Sequence, residues 1–237
     1  MATRNVLLVI ADIGGYTHFI RAHKTALAHA DLIVHKLLDS VVRASAGRLT
    51  LSKLEGDAAF LFAESSTEAN DLAPIFSAMH RAFHATNQMI EKNHICGCAA
   101  CIGACGLKLK VVAHQGAALV RRIRNTPELT GECVILAHRM LKNHVPLPEY
   151  ALLSEDLARA AKPEIQCRLV PSLLTLEGFG EVPAAYLNLQ DLAGAIPPAS
   201  RAPLPLRVLA FLWHEFLALP YRVGLKKPLA AFRNVPL

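Results

Sequence analysis

The sequence predicts an α+β fold, an antiparallel-rich sheet with helices packed on one face. Apolar runs rich in β-branched residues come in pairs joined by tight turn signals, so neighbouring strands pair directly. Long segments with apolar residues at helical spacing lie between those pairs. The resulting order, β-α-α-β-β-α-β-β-α-β, lacks the regular strand and helix alternation of a doubly wound α/β fold. With 237 residues and 53% hydrophobic composition, the chain can bury the core of one large domain, or of one domain and an appendage.

The first strand, Leu8-Val9-Ile10-Ala11-Asp12, breaks at Gly14-Gly15, so Asp12 stands where the chain leaves the sheet. Thr17 to His23 can start a short helix. A longer one follows from Leu27 to Ala46, with Ile33, Leu37, Leu38, Val41 and Val42 at helical spacing and Gly47 as its stop signal. Gly56-Asp57 separates Leu49-Thr50-Leu51 from the apolar run Ala58 to Phe62, a hairpin with an acid at its turn. The next helix, Glu68 to Lys92, carries a core stripe of Leu72, Ile75, Phe76, Met79, Phe83 and Ile90. Leu107 to His114 reads as a strand that turns at Gln115-Gly116 into Ala117 to Arg121, and Gly131 to Asn143 as a helix. Leu174 to Pro183 and Tyr186 to Leu189 form a closing strand pair around the Gly178 to Gly180 turn.

The net charge of +6 is uneven, because six of the 25 basic residues and only one of the 19 acidic ones lie from Ala195 onward. The body is close to neutral and lacks the basic face that nucleic acid would need. No secretory signal follows Met1, so a cytoplasmic location is expected. No run of about eighteen apolar residues predicts a membrane span.

Asp57 directly follows Gly56 and Asp12 stands two residues before Gly14, which is ordinary turn chemistry for either acid alone. Two carboxylates at two strand ends can also share a hard cation such as Mg²⁺, whose remaining positions take phosphate and water oxygens. The two loops, Leu8 to Thr17 and Lys53-Leu54-Glu55-Gly56-Asp57, resemble the metal-binding motifs of class III adenylate and guanylate cyclases, F-x-D-I-x-G-(F/Y)-T and K-x-x-G-D. The resemblance runs in order over residues 5 to 189 and implies a ferredoxin-like, nucleotide cyclase-like domain. It puts Asp12 and Asp57 on the Mg²⁺ or Mn²⁺ ligands and Lys53 on the purine-reading lysine. Gly131-Glu132-Cys133-Val134-Ile135-Leu136-Ala137-His138-Arg139-Met140 resembles G-x-x-V-N-x-A-x-R-M, with Arg139 on the arginine that neutralises charge at the α-phosphate. Glu128 stands where adenylate cyclases commonly carry the aspartate that reads adenine. Ile135 departs from the pattern, replacing the asparagine that orients the ribose. Losing one polar group that acts in the transition state costs about 10² to 10³ in rate. Without the resemblance, Arg139 reads as a surface cation of its helix.

Between the third long helix and Leu107, Cys96, Cys98, Cys101 and Cys105 crowd into ten positions and could complete a tetrahedral Zn²⁺ site. A redox pair and plain loop cysteines are the alternatives, the last being the simplest. His80 and His84 stand at i, i+4, a spacing that holds a metal or simply marks a solvated helix face. Pro197-Pro198 and Pro203-Leu204-Pro205 make a stiff linker. Beyond it, Leu206 to Leu219 is largely apolar, ends at Pro220 and is flanked by Arg222, Lys226 and Lys227. That segment suits an anionic membrane interface or packing on the body or a second copy.

The expected organisation is a cyclase homology domain over 1–193, a proline-rich linker over 194–205 and a basic apolar extension over 206–237. The resemblance implies a head-to-tail homodimer. Asp12 and Asp57 of one copy would hold metal and the triphosphate of ATP, while the other copy supplies Lys53, Glu128 and Arg139. The expected function is slow formation of a cyclic nucleotide such as cAMP. Its rivals are a non-catalytic nucleotide-binding or interaction module and, more weakly, a zinc or thiol sensor.

Overall fold

A computed structural model describes residues 3–22, 27–64, 71–94, 99–123 and 126–222. The chain runs through β1 (Thr3–Gly14), α1 (Tyr16–Ala22), α2 (Leu27–Ser45), β2 (Thr50–Glu55), β3 (Ala58–Ala63), α3 (Leu72–Asn93) and α4 (Ala99–Gly103). It continues with β4 (Lys108–Ile123), β5 (Thr126–Thr130), α5 (Glu132–Met140), β6 (Tyr150–Ser154), α6 (Glu155–Ala160) and α7 (Pro163–Gln166). β7 (Val170–Leu176), β8 (Gly180–Asn188), α8 (Leu189–Ala193) and α9 (Leu204–Arg222) complete it. The strands form one sheet in the order β2-β3-β1-β4-β6-β8-β7, with β5 paired to β4. Every pairing is antiparallel except β4 with β6, which confirms the mixed, antiparallel-rich α+β class.

β1 is apolar without interruption because both of its faces are covered. Leu7, Val9, Ala11 and Ile13 point to one core, where α2 brings Ile33, Val34, Leu37 and Val41 and α3 brings Ile75, Phe76, Met79 and Phe83. Val6, Leu8 and Ile10 point to a second core closed by Cys133, Ala137 and Met140 of α5 and by Leu141, Val145 and Leu147. The two long helices thus share one face, as the sequence predicts, and α5 is an addition to the other.

One predicted turn is absent. Gln115-Gly116 lies inside β4, paired with Leu7 and Val6, and β4 runs on to Ile123, where it pairs with Thr126 of β5. Gly116 serves packing: a Cβ there would stand 2.6 Å from Cys133 Cβ and 3.2 Å from His114 Nε2, so glycine lets α5 lie close on β4. Gly116→Ala is therefore expected to destabilise the fold by about 1–3 kcal/mol, as overpacking does. Thermal melting checks it, and an unchanged melting temperature would return Gly116 to an incidental role.

Residues 194–203 run along the end of α3. Ala199 N–H donates to Gln88 Oε1 at 3.0 Å, Ala202 N–H to Asn93 Oδ1 at 2.7 Å, and Lys92 Nζ to the Ala199 carbonyl at 2.8 Å. α9 begins at Leu204, inside the predicted linker, with Pro205 in the first turn where its missing N–H leaves no bond unmade. Arg207, Ala210 and Phe211 face the body across a cavity of about 440 Å³ shared with α2 and α3. Leu206, Leu209, Leu212 and Phe216 are exposed. Among the described residues no helix is long and apolar enough to cross a membrane.

Candidate functional site

Strand register brings the two predicted acids together. Asp12 sits opposite Ala58 of β3 and Lys110 of β4. Asp57 immediately precedes Ala58 in the β2–β3 turn, where Gly56 takes a left-handed φ of 59°. The Asp57 carbonyl accepts the Ile13 N–H at 3.0 Å, which ties the turn to the end of β1. Burial and the nearby Asp57 charge push Asp12 up to about 6, against the opposing pull of Lys110. Asp57 is raised as well, chiefly by burial.

The charge of Lys110 acts on both acids, and its ammonium also lies 5.9 Å from the Tyr150 ring centroid. A Cβ on Gly14 would come within 2.8 Å of Lys110 Cε, so the glycine leaves room for that side chain to cross β1. The single charge of Lys110 does not balance two crowded carboxylates. An all-oxygen donor set with that charge fits Mg²⁺ or Mn²⁺. Lys110 was legible only as one of two lysines alternating with Leu107 and Leu109; its place opposite Asp12 comes from register.

Lys53 and Glu128 meet at a separate feature, a cavity of about 650 Å³ between β2, β3, β5 and α5. A β-bulge at Ser52 buries that side chain, whose hydroxyl donates to the Pro127 carbonyl at 2.9 Å, and leaves Lys53 at the rim. Phe60 and His138 stack along the wall with centroids 4.3 Å apart, and Lys53 Nζ lies 5.0 Å from the Phe60 ring centroid. Burial lowers the His138 pKa, opposed by Glu55 and assisted by Lys53, so its imidazole is neutral at pH 7. Lys53 pairs with Glu55, and Glu128 accepts from Arg121 Nε at 3.1 Å. An aromatic wall with a cation and a carboxylate at its mouth suits a flat, polar-edged base, and the volume is that of a small-molecule site. The stacked pair Phe60 and His138 was not predicted, since it joins residues far apart in sequence.

Arg139 lines neither feature. Its Nη1 donates to Glu177 Oε2 at 2.6 Å, reaching the turn between β7 and β8. Ile135, one helical turn before it, is 54% exposed, while Cys133, Ala137 and Met140 form the buried face of α5.

Of the four cysteines proposed for zinc, Cys96 and Cys98 lie outside the described residues. Cys101 is buried in the core at 8% exposure, whereas Cys105 is exposed. Cys133 is buried, donates to the Ala117 carbonyl at 3.1 Å, and has its thiol pKa raised by that burial. His80 and His84 are not a solvated helix face: His80 is buried, and both reach the buried Glu149. Glu149 was missed because it stands alone in a proline-containing stretch with no periodicity around it.

Residues 34–150 match the sequence model of a family described as "Protein of unknown function (DUF2652)". "Uncharacterized protein Rv2561/Rv2562" of Mycobacterium tuberculosis is 36% identical over 202 residues, 84% of this chain and 93% of that protein. Among solved structures, the guanylyl cyclase Cya2 superposes with a TM-score of 0.60 at 14% identity, over 78% of this chain and 92% of that one. The adenylyl cyclase CyaB from P. aeruginosa superposes at 0.58 and 14% identity, over 84% of this chain and 98% of that one. The fold is therefore that of the class III nucleotide cyclases. One neighbour is named for each purine, so the fold does not choose between them.

Proposed function

We propose that this chain, which belongs to one family with the mycobacterial protein Rv2561/Rv2562, is a nucleotide cyclase-like domain that binds a purine nucleoside triphosphate with Mg²⁺ or Mn²⁺ between two copies of itself. The observation that carries the reading is the pair Asp12 and Asp57, brought by register to neighbouring strand ends with ionisation made costly by burial and partly offset by Lys110. Asp12 and Asp57 would hold the metal, which when bound supplies positive charge for the triphosphate and a more acidic ribose 3′-hydroxyl. Lys53 and Glu128 read the edge of the base, and Phe60 and His138 give it a flat wall. Arg139 offsets charge at the α-phosphate once it leaves Glu177. Acting in the cytoplasm, the protein would release pyrophosphate and a cyclic nucleotide such as cAMP slowly.

A second reading, a non-catalytic nucleotide-binding module, draws on Ile135, whose exposed side chain offers a ribose no hydrogen bond, and on the engagement of Arg139 with Glu177. Incubation with ATP or GTP and Mg²⁺ or Mn²⁺, with cyclic nucleotide and equilibrium binding both measured, separates the two. Binding without product supports the module, and absence of binding removes both. The dimer has its own test. If the acids come from one copy and Lys53 from the other, mixing Asp12→Asn protein with Lys53→Ala protein restores roughly a quarter of wild-type sites, because half of random dimers are mixed and each holds one intact site. No recovery above the separate variants would place the site within one copy.

The extension 206–237 belongs to the same proposal as a peripheral membrane contact, supported by the exposed Leu206, Leu209, Leu212 and Phe216. Each lysine or arginine near an anionic leaflet contributes about 1 kcal/mol, which salt screens, while apolar insertion is insensitive to salt. Cosedimentation with phosphatidylserine vesicles is expected to weaken in high salt without vanishing. A full-length protein that ignores such vesicles at low salt ends this part of the reading.

A further inference from the structure

α3 carries two imidazoles to a point that the candidate nucleotide site does not use. His84 Nε2 lies 2.7 Å from Glu149 Oε1, and His80 Nε2 lies 3.4 Å from Glu149 Oε2. His80 and Glu149 are 2% and 1% exposed. One ligand atom from each of the three residues falls within 4.8 Å of the other two. Glu149 is held in place from behind, accepting the Leu109 N–H at 3.0 Å and Gln190 Nε2 at 3.3 Å.

Hydrogen bonding alone leaves His80 under-satisfied. The His80 contact is at the outer limit for a hydrogen bond, and His80 Nδ1 is buried with no hydrogen-bond partner among the described residues. A buried imidazole so poorly served by protein groups has a lone pair to give elsewhere. We propose that His80, His84 and Glu149 form a structural site for a Zn²⁺-class transition-metal ion, separate from the hard-cation site of Asp12 and Asp57. Two imidazole nitrogens and one carboxylate suit zinc and its neighbours better than Mg²⁺, which prefers oxygen throughout. The i, i+4 spacing puts both imidazoles on one helix face, and the carboxylate arrives from the segment before β6. A water completes the tetrahedron.

The role is structural because the helix carries no acid beside the histidines to act on a bound water: Arg81 follows His80, and none of the three residues lines either cavity described above. An ion there joins α3 to the start of β6 and, through Leu109 and Gln190, to β4 and α8. Leu109 and Glu149 are followed along the chain by Lys110 and Tyr150, so the same ion steadies β4, which pairs with β1 opposite Asp12, and β6 on its other side.

The test uses the full-length protein. Metal analysis after purification is expected to find about one zinc per chain. In protein stripped with chelator, Zn²⁺ at a hundredfold excess over its Kd should raise the melting temperature by on the order of 5–10 °C. That rise is lost in His84→Ala and kept in Asp12→Asn. Co²⁺ put in place of zinc in the wild-type protein should give visible d–d bands without a thiolate charge-transfer band in the near ultraviolet, so the ligand set is read even if His84→Ala fails to fold. No retained zinc, together with no thermal shift and no d–d bands, overturns the proposal. So does a strong thiolate band, which would put the metal on the cysteines instead.

Discussion

Replacing Asp12 with asparagine is expected to abolish metal-dependent nucleotide binding and to raise the melting temperature of the metal-free protein. Both effects have one cause. Asp12 is lifted to about 6 by burial and by Asp57, above the ordinary aspartate value of 3.8 that it regains on unfolding. The folded state therefore binds a proton more tightly than the unfolded state. Above pH 6 the ionised carboxylate costs stability, and the cost is relieved as pH falls through 6 toward 3.8. Two pKa units correspond to about 3 kcal/mol, an upper bound because Asp57 shares the repulsion. Asp12→Asn removes this cost at pH 7 and flattens that part of the pH profile.

The same charge is what a divalent cation would use. Residues standing behind metal ligands already change affinity by about 10–100-fold, so loss of a ligand is expected to exceed that. Asp57→Asn should act likewise, and the double variant should add little, because the two carboxylates serve one ion. Mg²⁺ with ATP or GTP should raise the melting temperature of the wild-type protein and leave both variants unmoved. Isothermal titration and thermal melts at pH 5 to 8 check the prediction. Variants that keep full nucleotide affinity would return both acids to the role of turn residues.

What could be read from the sequence was local. Asp12 and Asp57 were visible because the first closes an apolar run just before a glycine pair and the second opens one just after Gly56, and the register then set them together. α2 and α3 were visible because their buried residues recur at three and four positions. β4 was cut in two because Gln115-Gly116 carries a turn signature, while the need met by Gly116 is a tertiary contact with Cys133. Lys110, Phe60, His138 and Glu149 escaped notice for the same reason. Each takes its meaning from a residue brought near by sheet register or helix packing, and no spacing along the chain encodes that. Even the exposed face of α5 was visible only as a motif with one member replaced.

That replacement sets the second large expectation. Ile135→Asn should raise cyclic-nucleotide formation by about 10² to 10³, equivalent to about 3–4 kcal/mol of transition-state stabilisation, if the remaining groups of the proposed site are competent. The change is structurally mild. Ile135 is 54% exposed, so little core is lost, and isoleucine and asparagine differ little in helix propensity. Asparagine at 135 would present a donor and an acceptor one turn from Arg139, on the outer face of α5, where a ribose hydroxyl from the opposing copy would be met. Ile135→Ala is the control, since it removes the same apolar bulk without adding a hydrogen bond and should give no gain. Glu177→Ala tests the second restraint, because it releases Arg139 from its 2.6 Å bond. Combined with Ile135→Asn, it should raise the rate further if Arg139 must swing toward the α-phosphate. Gain only in the asparagine variant, with Kd for nucleotide unchanged, would identify the lost hydrogen bond as the brake on catalysis. A folded Ile135→Asn protein that binds nucleotide and makes no product would make this chain a nucleotide-binding module built on a cyclase fold.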